Sequence, residues 1–122
     1  MQPRVRAAVA HAWEMGIKIA AGTDDGYSAT TSHRVSDEVA ELARSGMPPM
    51  DAIKAGTSVS AECLGVEKRI GTIKPGMVAD FIAVDGDPVA NIAALRDHVL
   101  VIHDGRVIIN PLKPRYDNSS DN

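Results

Sequence analysis

Asp24 and Asp25 stand together just beyond a short apolar run, Ile17-Lys18-Ile19-Ala20-Ala21, that closes at Gly22. A carboxylate beside a divalent metal can ligate it and accept a proton as the bound water acidifies. The plainer reading, an Asx-turn or helix-cap carboxylate, stays open on the residues alone. Ser28, Thr30, Thr31 and Ser32 crowd towards His33, whose near-neutral titration suits proton transfer or metal binding. No G-x-S-x-G elbow accompanies them, so a hydroxyl-rich loop with an exposed histidine explains the cluster better than a nucleophile does. His98 and His103 lie five apart on or beside one predicted strand, which sends them to opposite faces and argues against joint chelation. His11 shares a helix with Trp13 but not a face, and it reads as surface or helix-interface packing. The single cysteine, Cys63, falls on a helix that reads as buried, where it behaves as a small hydrophobe.

These residues need elements to position them. Val5, Ala8, Val9, Ala12 and Trp13 recur at helical spacing between Pro3 and Met15, with Gly16 as the stop. The run 17–21 then reads as a buried strand, and the loop from Thr23 to Ser32 emerges at its carboxyl end, where α/β proteins place their chemistry. Ser36 is the expected cap of a helix with Val39, Ala40, Leu42 and Ala43 on its apolar face and Gly46 as its end. A further helix starts near Pro49 and runs to about Gly56, and another helical stretch, 57–64, closes at Gly65. Beyond it, Gly71, Pro75-Gly76, Gly86, Pro88 and Gly105 punctuate short apolar runs typical of β structure. Residues 81–84, 99–102 and 106–109 read as strands, the last two joined at Asp104-Gly105, a strong hairpin signal.

The chain has 122 residues, which suits one domain and falls well short of the roughly 250 of a complete (β/α)₈ barrel. Its 44% hydrophobic and 24% charged content is ordinary globular usage. Only 3% is aromatic, so Ala, Val and Ile are expected to fill the core. The same scarcity, with a net charge of −3, removes the stacking platforms and the basic field of a nucleic-acid binder. No stretch approaches a membrane span or an uninterrupted signal-peptide core, and one cysteine fits a reducing compartment. The expectation is a cytoplasmic protein without nucleic-acid or membrane partners.

Four stretches in order resemble the C-terminal portion of the metal-dependent amidohydrolase superfamily, in its imidazolonepropionase, cytosine-deaminase-like and Xaa-Pro dipeptidase-like branches. They are GIKIAAGTDDG (16–26), DEVAELARSGMPPMDAIKAGTSVSAECLGV (37–66), IGTIKPGMVADFIAVDGDPVANI (70–92) and VIHDGRVI (101–108). The resemblance implies an α/β chain: the last strand and helices of an incomplete barrel over 1–65, a β-rich part of the family's sandwich over 66–110, and a flexible tail over 111–122. It implies that Asp24, in Gly22-Thr23-Asp24, matches the aspartate after the eighth barrel strand, a metal ligand and proton acceptor. His33 falls where related enzymes place substrate-contacting side chains, while Asp80, in Val78-Ala79-Asp80, opens a strand and has a structural role. The family's His-x-His pair, its lysine or glutamate bridge and two further histidines have no counterpart, so the chain reads as a truncated member.

The expected function is therefore hydrolysis of an amide, cyclic amide or related C–N or ester bond by water activated at a divalent metal, zinc first, on a small-molecule substrate. The alternative is a noncatalytic fragment acting as a structural, self-associating or complementing module. Final strands without their usual neighbours expose edges, which leads us to expect a homo-oligomer.

Overall fold

In a computed structural model, the structure describes residues 1–23 and 34–109. Asp24, His33 and the predicted tail lie outside the described residues. Among the described residues four α-helices come first: α1 (Pro3–Glu14), α2 (Val35–Arg44), α3 (Pro49–Ala55) and α4 (Ser58–Cys63). Strand β1 (Phe81–Val84), a 3₁₀ helix (Ile92–Arg96), β2 (His98–His103) and β3 (Arg106–Ile109) follow.

Helix ends obey the local code. Past α2, the Gly46 amide donates to the Ala43 carbonyl and the Met47 amide to that of Leu42, the paired bonds of a Schellman close. Met47 completes the motif by burying beside Leu42 in the core. The same pair of bonds closes α1 through Gly16 and Ile17, and α4 through Gly65 and Val66. Prolines open α1 and α3, where the missing N–H costs nothing. Helix α2 is capped two residues earlier than predicted: Arg34 is the N-cap residue and Ser36 sits inside the first turn.

The three strands form one antiparallel sheet in the order β1-β2-β3. Phe81 pairs with Ile102 and Ala83 with Leu100, then a bulge shifts Val84 onto His98. The β2–β3 hairpin turns on Asp104 and Gly105, both at positive φ (49° and 72°), as a two-residue type I′ turn requires.

The core is built between the helices. Val39, Leu42, Met47, Ala52 and Ala55 form its buried cluster, with Trp13, Ile19, Ile53, Ile92 and Leu95 packed against it. Alanine dominates the buried set, as expected, but isoleucine is absent from it. Small side chains let the helices approach closely, while Ile19, Ile53, Ile92 and Leu95 pack partly buried around the cluster.

Two further expectations change. Residues 17–21 form no strand, because their backbone is engaged elsewhere: Ala21 donates its amide to the Ala55 carbonyl at 2.8 Å, at the α3–α4 corner. Cys63 is exposed, since α4 turns its buried face, Ala61, away from it.

Candidate functional site

Asp24 and His33 lie outside the described residues, whose nearest ends on either side are Thr23 and Arg34. The first end is tied to the α3–α4 corner by the Ala21 to Ala55 bond. The Ser60 hydroxyl reinforces that corner, donating to the Ala55 carbonyl at 2.5 Å. The second end is the start of α2, where the Arg34 amide donates to the Asp37 carboxylate at 3.4 Å. Arg96, from the 3₁₀ helix, donates its Nε to the other Asp37 oxygen at 2.7 Å. That guanidinium holds the Asp37 carboxyl below its ordinary pKa, with the Arg34 amide adding to the effect. A negative charge in the first turn also complements the helix dipole.

Beneath the start of α2 lies an open cavity of about 330 Å³, walled by Val39, Ile53, Ile82 and Leu95, with Arg34 and His98 at its polar margin. The Ser36 hydroxyl oxygen is buried there in the first turn and has no hydrogen-bond partner among the described residues. A larger groove of about 660 Å³ shares the Ile53, Ile82 and Leu95 walls and runs between α4 and β1. Its polar groups are few, and Thr57 and Ser60 already spend their hydroxyls on the Ile53 and Ala55 carbonyls. Such a surface can accommodate apolar groups; it pairs no nucleophile with a base.

The three described histidines do not converge. His98 borders the cavity, His103 lies at the hairpin with its Nδ1 2.9 Å from Asp80 Oδ1, and His11 is exposed on α1. Asp80 also accepts the Asp104 amide at 2.7 Å, so it fastens the hairpin turn to the start of β1. Among the described residues no group of three His, Cys, Asp or Glu side chains could hold a metal ion, and these residues alone do not fit one. No helix among them is long and apolar enough to cross a membrane.

Sequence reading missed Glu41. On α2 it accepts Arg6 Nη2 at 2.8 Å and Arg44 Nη1 at 2.6 Å, and the amino terminus lies 3.4 Å away. Charge complementarity within α2 could have flagged Arg44, three residues on, but no local signal reveals Arg6 across 35 positions.

The family model described as "Amidohydrolase family" matches residues 3–108. Adenine deaminase 4 of Rhizobium meliloti is 30% identical over 109 residues, covering 84% of this chain and 18% of that protein. Ochratoxinase of Aspergillus niger is 32% identical over 89 residues, covering 72% of this chain and 18% of that protein. Among solved structures, a Xaa-Pro dipeptidase with bound methionine in its active site superposes with a TM-score of 0.77 at 36% identity, over 86% of this chain and 25% of the other. Molinate hydrolase superposes with a TM-score of 0.74 at 27% identity, over 87% and 27%. The chain thus spans less than a third of the length of each of these relatives.

Proposed function

This chain belongs to the amidohydrolase family, and from that premise we propose that it is the C-terminal portion of a hydrolase whose activated water attacks an amide, cyclic amide or related C–N or ester bond of a small molecule. The match over residues 3–108, which includes Gly22-Thr23-Asp24, carries the reading. In it, residues 1–65 are the end of a (β/α)₈ barrel, and 66–110 belong to the β-rich domain beside it.

Asp24 is the proposed catalytic carboxylate. It would help hold a divalent metal, zinc first, with its other ligands drawn from outside the described residues. Such an ion, when bound, acidifies water. In this reading Asp24 would help hold the metal and serve as a proton acceptor, and His33 would contact the substrate. The setting we propose is cytoplasmic, without nucleic-acid or membrane partners. Metal content measured by plasma mass spectrometry, on untagged protein and on Asp24→Ala, tests the assignment. Near-stoichiometric metal that disappears in the variant supports it; equal metal in both, or none in either, overturns it for this chain.

A second reading, a self-associating or complementing module, draws on the apolar surface left open. Ile73 and Leu64, both lining the larger groove, are 79% and 73% exposed. Exposed residues of this kind mark association surfaces when they cluster. A homo-oligomer by light scattering would support that reading, and a monomer at micromolar concentration would refute self-association.

A further inference from the structure

We draw no further inference here: the strongest candidate, the apolar groove between α4 and the outer edge of β1, carries none because nothing in the structure shows what covers it.

Discussion

Asp80 Oδ1 lies 2.7 Å from the amide nitrogen of Asp104, so the residue just before β1 caps the turn that joins β2 to β3. The Gly105 amide adds a bond to the Ala79 carbonyl at 3.0 Å, and the His103 ring approaches the same carboxylate. One strap of backbone and one side chain thereby hold a hairpin whose turn residue Asp104 sits at positive φ. Asp80→Ala should destabilise the chain by about 1 kcal/mol, as expected for a partly exposed charged acceptor. Asp80→Asn keeps an acceptor oxygen and should cost less. Hydrogen exchange at the Asp104 amide is the direct readout. Equal protection in Asp80→Ala and the parent would show that the turn holds without the carboxylate.

Glu41 governs the acid limb of stability. Arg6 first, then Arg44 and the amino terminus, push its pKa down from 4.5 to about 2. A depressed folded pKa stabilises the native state above the unfolded value and ceases to do so as pH falls from about 4.5 towards 2. Because Arg6 and Arg44 are partly exposed, screening leaves about 1–2 kcal/mol of this contribution. Glu41→Gln should therefore lower stability by that amount at pH 7 and by progressively less below pH 4. Urea unfolding of both proteins across this range checks the prediction, and a difference independent of pH would assign the loss to packing instead.

Chemistry confined to a few neighbouring residues was legible: Gly16, Gly46 and Gly65 as helix ends, Pro49 as a helix start, Asp104-Gly105 as a hairpin turn. Each is decided by backbone conformation and adjacent hydrogen bonds, which nearby sequence controls. What depends on distant partners was not. Residues 17–21 have strand composition, yet a ladder needs a second chain segment, and Ala21 finds Ala55 instead. Cys63 looked buried because helical periodicity over six residues barely defines a face. Of the candidate site, sequence reading offers Asp24 and His33, which lie outside the described residues; the Ala55–Ser60 corner and the Asp37–Arg96 pair were not legible, because each depends on partners distant in the chain.

Ser36 carries the reverse expectation from the other substitutions. Its hydroxyl, expected from its type and position to be an N-cap, lies inside the first turn of α2, buried and without a partner among the described residues. An unsatisfied buried hydroxyl costs about 1–3 kcal/mol, and alanine is the better helix former. Ser36→Ala should be neutral or raise stability by up to about 1 kcal/mol, lifting the melting temperature by a few degrees. A fall in melting temperature would mean that the hydroxyl finds a partner in solution.

Gly71 shows how tightly the β-rich segment is seated on the helices. A Cβ there would stand 2.6 Å from the Ala61 Cβ, 3.1 Å from the Thr57 carbonyl oxygen and 3.2 Å from the Ser58 Cα, on a backbone at φ +91°. Two costs coincide: left-handed backbone strain, and overlap with the start and buried face of α4. Neither Thr57 nor Ala61 can yield easily, because the Thr57 carbonyl accepts the Ala61 amide at 2.9 Å and Ala61 is buried. Gly76 separates the two costs, having a comparable φ of +87° and open space where its Cβ would go. Gly76→Ala should lose about 1 kcal/mol from strain alone, and Gly71→Ala about 2–4 kcal/mol from strain and overlap together. Paired thermal or urea unfolding curves measure the difference. Equal losses would show that α4 and the 71 turn are free to separate, and that the groove between them is wider in solution than its walls suggest.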